Sequence, residues 1–111
     1  MEELIEPLVN FLKVLADSTR LKIINFLKNG ENSANHIQTA LNKSQSTISQ
    51  QLKILTNADI LNVRREGVKK IYSIKNPQIF EVLSVLNSYI LNTTKDKIEN
   101  LTTFDILDTL H

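Results

Sequence analysis

Apolar side chains along this chain recur mostly every three or four residues, and that spacing changes once. Leu4, Leu8, Phe11, Leu12 and Leu15 fall on one side of a helix and predict an amphipathic opening segment. Ala16 and Asp17 interrupt it, and Asp17 or Ser18 is placed to cap a second helix bearing Leu21, Ile23, Ile24, Phe26 and Leu27. Asn29 and Gly30 stop that helix, since both residues tolerate left-handed dihedrals. Ser33 to Leu41 fits a short third helix that buries Ile37 and Leu41. The link "NKS" follows, with Ser44 as cap of a fourth helix whose Ile48, Leu52 and Leu55 share one face. Ser46, Ser49, Gln50, Lys53 and Asn57 project from the other face, given about 100° of rotation per residue. Two short helices joined so briefly match the helix-turn-helix unit, whose second helix enters a DNA major groove.

After Asn57 the period drops. "ILNVRREGVKKIYSI" places β-branched and aromatic residues on both sides of Gly67, which predicts antiparallel strands at about 60–65 and 70–74. Such a hairpin is marginal alone, so Ile60, Leu61, Val63, Ile71, Tyr72 and Ile74 are expected to dock it on the helices. Pro77 opens another helix, with Ile79, Phe80, Val82, Leu83, Val85, Leu86, Tyr89 and Ile90 spread wider than one stripe. The surplus points to burial against a second subunit. Beyond it, Ile98, Leu101, Phe104, Ile106, Leu107 and Leu110 predict a further helical segment without clear bounds. The expected organisation is mainly α with a small β-hairpin: a DNA-binding domain over 1–92 and a dimer-associated extension over 93–111.

Charge sharpens this picture. The formal net charge is +1, yet residues 43–75 hold seven basic side chains against two acidic ones, and the flanking segments are net negative. Positive charge concentrated in one central third suits a polyanion. The fourth helix is otherwise rich in short uncharged donors and acceptors, where a merely solvated helix would favour Glu and Lys. Gln pairs bidentately with adenine, and Ser and Thr serve base edges or phosphates. Gln45, Ser46, Thr47, Ser49 and Gln50 are therefore the candidate base readers. Lys43, Ser44, Lys53, Arg64, Arg65, Lys69 and Lys70 are the candidate backbone contacts, because phosphate neutralisation adds affinity without choosing sequence. Alternation along a strand keeps Arg64 and Arg65 from sharing one orientation unless they lie in the turn, so one or two of these cations are expected to face solvent.

Other function classes find little support. The chain has no cysteine, which removes disulfides and thiolate chemistry, and only Gly30 and Gly67, too few for a phosphate loop. His36 and His111 are the only imidazoles and make a poor zinc set. No enzyme, metal or cofactor is expected. No apolar run approaches the ~20 residues that span a bilayer. Glu2, Glu3 and Glu6 argue against a secretion signal, so a cytoplasmic, membrane-free protein is expected. The competing reading is a protein-interaction module without sequence-specific DNA binding, suggested by the modest charge of the polar helix face and the acidic, apolar carboxyl end.

"FLKVLADSTRLKIINFL", Phe11 to Leu27, resembles the first-to-second-helix signature of the ArsR-type winged helix-turn-helix repressors, with Ala16, Asp17, Thr19, Arg20 and Leu21 in place. "KSQSTISQQLKILTNADILNVRREGVKKIYSI" resembles that family's recognition helix and wing, and the likeness spans roughly residues 8–90. It implies a homodimer built from the first and last helices, here Leu4, Leu8, Phe11, Val82, Leu86, Tyr89 and Ile90. It also implies repression through an imperfect palindrome read by two recognition helices about one helical turn apart. The family's familiar metal-ligand motifs are missing: Ser33 and Asn35 stand where metal-sensing members place cysteines, and residues 78–91 contain no His or Asp. The Arg-His pair common after the recognition-helix serine is Gln50-Gln51, which shifts backbone attraction toward the wing. No effector follows from these residues.

Overall fold

The computed structural model describes the backbone of residues 2–110 and the side chains of residues 2–97. It divides into two compact units, Met1–Pro77 and Gln78–His111. The first holds α1 (Glu2–Leu15), α2 (Ser18–Phe26) with a 3-10 turn at Leu27–Asn29, β1 (Asn32–Ser33), α3 (Ala34–Leu41), α4 (Gln45–Asn57), β2 (Leu61–Glu66) and β3 (Lys69–Ile74). The second is one helix, α5 (Gln78–Leu110).

Each helix start in the first unit after α1 has a side-chain cap. Asp17 accepts from the Arg20 amide at 3.0 Å, Ser33 from His36 at 3.1 Å and Ser44 from Thr47 at 3.1 Å. These caps satisfy amides that the helix itself leaves unpaired. Asn42 ends α3 in the left-handed region, φ 53°, and lets α4 begin only three residues later. The core is built where these short helices meet the hairpin base. Ile23, Ile24, Ile37, Ile48, Leu52, Leu55 and Leu61 are all fully buried. Leu41, expected inside, is half-buried.

The hairpin forms as predicted, with a strand more. The tiny β1 joins it, giving the antiparallel order β1-β3-β2. Glu66 pairs with Lys69 across a two-residue turn in which Gly67 has φ 65° and Val68 has no positive φ. That combination is a type II′ turn, whose twist suits a hairpin. Ile60, Leu61 and Tyr72 are buried and Ile71 and Ile74 half-buried, as docking requires. Val63 departs from expectation at 43% exposure. It lies on the edge strand, of which only the base, Leu61, reaches the core.

Pro77 directly precedes α5, and no glycine or proline interrupts the sequence that follows. The helix runs through Asn92 and Thr93, so the domain division expected there falls inside a continuous element. Within α5, Ile79 is buried and Phe80, Val82 and Leu83 are half-buried, while Val85, Leu86, Tyr89, Ile90 and Leu91 are exposed. The side chains of Ile98, Leu101, Phe104, Ile106, Leu107 and Leu110, singled out above, lie outside the described residues. Among the described residues no helix is long and apolar enough to cross a membrane.

Candidate nucleic-acid interface

The amphipathic split of α4 decides what it offers outward. Ile48, Leu52 and Leu55 anchor it, which turns Gln45, Ser46, Ser49, Gln50 and Lys53 to solvent. Thr47 is half-buried and belongs to the cap: the Ser44 hydroxyl donates to its Oγ1 at 2.8 Å and lies 3.4 Å from Ser46 Oγ. Ser44 and Thr47 thus stiffen the helix start, Gln45, Ser49 and Gln50 present free polar side chains, and Ser46 is exposed with its hydroxyl held on Ser44. Lys43 is exposed in the link just ahead.

Gln51 behaves differently from its neighbour. It is half-buried, and its Oε1 accepts from Arg20 Nη1 at 2.7 Å. The same guanidinium donates from Nε to the Val14 carbonyl at 2.6 Å and from Nη2 to the Lys13 carbonyl at 3.3 Å. Arg20 therefore ties the last carbonyls of α1, which have no partner within their own helix, to the middle of α4. A positive charge also suits a helix carboxyl end. Of the Gln50-Gln51 pair, only Gln50 faces outward. Periodicity does not reveal this contact, because the partners are 31 residues apart.

Strand register sorts the hairpin's cations onto two faces. Val63 opposite Tyr72 and Arg65 opposite Lys70 share one face; Arg64 opposite Ile71 and Glu66 opposite Lys69 share the other. Arg64 is already engaged: its Nη2 meets Glu31 Oε1 at 2.6 Å and its Nη1 meets Glu66 Oε2 at 3.0 Å. Among the described residues, Lys43, Lys53, Arg65, Lys69 and Lys70 form no ion pair and all are exposed. A cleft of about 360 Å³ between α4 and the wing is lined by Gln45, Ser49, Lys69, Lys70 and Tyr72 among others. A second, of about 560 Å³, shares Ser49, Lys70 and Tyr72 and adds Lys53, Thr56, Asn57, Val63, Arg64 and Arg65. Polar helix and cationic finger therefore border the same clefts.

Glu31, which sequence reasoning passed over, responds to Arg64. The guanidinium's hydrogen bonds hold its carboxyl below the ordinary glutamate value, against an opposing effect of desolvation. The ion pair is complete above the ordinary glutamate range and is lost as pH falls through the depressed value. Arg64→Ala should raise the Glu31 titration midpoint, followed by carboxyl-carbon NMR; an unmoved midpoint would assign the depression elsewhere.

A family model described as bacterial regulatory protein, arsR family, matches residues 17–63, α2 through the first half of β2. The arsenical resistance operon repressor of Staphylococcus aureus is 31% identical over 92 residues, which cover 83% of this chain and 86% of the relative. The chain belongs to the arsR family. An uncharacterized HTH-type transcriptional regulator of Mycobacterium tuberculosis, Rv0081, is 32% identical over 98 residues, covering 84% and 86% of the two chains. The crystal structure of that protein superimposes with a TM-score of 0.78 at 30% identity, over 86% of this chain and 96% of the other. The homodimeric winged helix-turn-helix DNA-binding domain of Mb0332 from Mycobacterium bovis gives 0.72 at 27% identity, over 83% and 88%. This arsR-family chain is accordingly a winged helix-turn-helix DNA-binding regulator, with α3 and α4 as the helix-turn-helix and β2–β3 as the wing. At the positions where metal-sensing members carry cysteines, Ser33 caps α3 and Asn35 lies in its first turn. Among the described residues no three His, Cys, Asp or Glu side chains gather as a metal site.

Proposed function

We propose that the protein is a transcriptional repressor that binds as a homodimer to a two-fold-symmetric operator and acts by steric exclusion. The observation carrying this reading is the shared border of α4 and the wing. Uncharged readers Gln45 and Ser49 line the clefts at that border with unpaired Lys53, Arg65, Lys69 and Lys70, and Ser46 and Gln50 are exposed on the same helix. Bases would be read by the first group and phosphates held by the second. Pairing is supported by apolar exposure on two helices. On α1, Leu4, Ile5, Leu8, Val9 and Leu12 are 39–66% exposed; on α5, Leu86, Tyr89 and Ile90 are 39–72% exposed. Five apolar side chains along one short helix exceed the scattered exposure normal for a monomer surface. Phe11 and Val82 sit half-buried beside these runs. The likeness to the S. aureus arsenical resistance operon repressor favours the negative sign of regulation.

Selection of bound duplexes from a random pool tests the proposal, and a two-fold-symmetric site is the expected product. Uniformly weak enrichment would favour the interaction module instead. On the selected site, Gln50→Ala should cost about 1–3 kcal/mol of discrimination at one base step. Equal loss on selected and arbitrary duplexes would reduce Gln50 to a positioning role.

A further inference from the structure

Tyr72 is more than a core residue of the wing. It lies on the central strand and is only 8% exposed, so its ring packs as the hydrophobic pattern requires. A phenylalanine would fill that space without burying a hydroxyl beside apolar groups, and a buried tyrosine hydroxyl ordinarily finds a partner. Among the described residues the Tyr72 hydroxyl has no hydrogen bond, and no fully buried side-chain oxygen lacks one. The hydroxyl must therefore reach the surface. Tyr72, with Ser49 and Lys70, lines both clefts between α4 and the wing.

Its surroundings ask for an anion. Arg65 and Lys70 are direct cross-strand partners on the same sheet face as Tyr72, and like charges set opposite each other repel. Neither forms an ion pair among the described residues, whereas Arg64, which also lines the cleft of about 560 Å³, is matched by two carboxylates. Lys53 of α4 borders the same cleft, and Ser49 adds a neutral hydroxyl. Among the described residues no Asp or Glu lines it. Burial raises the pKa of the Tyr72 hydroxyl, so it keeps its proton and acts as a donor.

We infer that the cleft of about 560 Å³ seats one phosphodiester of the bound duplex, with Arg65 and Lys70 neutralising it and the Tyr72 hydroxyl donating to an oxygen. This rests on the DNA-binding reading and adds to it a fixed phosphate between recognition helix and wing. Such a contact would set the depth at which α4 sits in the groove.

The test is Tyr72→Phe, which keeps the ring. The variant should unfold at the wild-type temperature yet bind at least about 10-fold more weakly, given the strength of hydrogen bonds to charged groups. The loss should be alike on the selected duplex and on one of arbitrary sequence. The salt slope should stay constant, since a neutral donor displaces no counterion. A single methylphosphonate, scanned along the selected duplex, should at one position weaken the wild type and cost Tyr72→Phe much less. Unchanged affinity of the variant, or equal methylphosphonate penalties in both proteins at every position, overturns the phosphate seat. Absence of salt-dependent duplex binding by the wild type would instead overturn the DNA-binding reading itself.

Discussion

Arg20→Ala should lower the unfolding free energy by about 3 kcal/mol, among the largest losses available at a residue with no apolar core role. The side chain is only 14% exposed, and its guanidinium serves three acceptors on two other helices. Truncation leaves the Val14 carbonyl and the Gln51 amide oxygen part-buried and short of a donor, which costs more than the bonds contributed. Each kcal/mol moves the midpoint of a domain this size by several degrees, so a drop of about 10 °C is expected at fixed protomer concentration. Arg20→Lys should recover little, because one ammonium cannot span three acceptors in fork geometry. Gln51→Ala alone should cost about 1 kcal/mol, and the double variant less than the sum of the singles. Additive losses would show that Arg20 and Gln51 do not hold one another. The DNA readout separates stability from positioning: below its melting point, the Arg20 variant should still lose affinity, because α4 is no longer tied to the end of α1.

What the sequence discloses and what it withholds follow from the range of the interactions. Ile48, Leu52 and Leu55 repeat at helical spacing, so the outward set of Ser46, Ser49, Gln50 and Lys53 is fixed by geometry within one turn. Ser44, Asp17 and Gly67 are equally local, each acting on backbone within three residues. The Arg20–Gln51 tie and the Arg64–Glu31 pair join residues 31 and 33 positions apart, and no periodicity announces them. The two-residue β1 is too short to generate a strand pattern; it exists because β3 offers it an edge. At Asn92–Asp96 the apolar rhythm lapses, which reads as a boundary, yet α5 continues because no residue there breaks a helix. Val63 and Tyr72 face the same way, and the strand pattern alone does not say that the core ends between them.

Replacing both Lys69 and Lys70 by alanine should weaken duplex binding by about 100-fold or more at moderate salt and flatten its salt dependence. Each neutralised phosphate contributes about 0.9 to the slope of log affinity against log salt. Two lysines in each of two protomers would therefore remove roughly 3–4 units, a change no loss of base reading produces. The size of the effect depends on these cations being unpaired in the free protein, as they are among the described residues. Arg64 supplies the control. Its charge already meets Glu31 and Glu66, so a phosphate gains it only by displacing carboxylates, and Arg64→Ala should shift the slope less than either single lysine change. Equal slope changes for Arg64 and the lysines would mean that the carboxylates release Arg64 on the duplex. An unaltered slope in the double-lysine variant would remove the wing from the phosphate contacts, and with it the claim that helix and finger engage one duplex together.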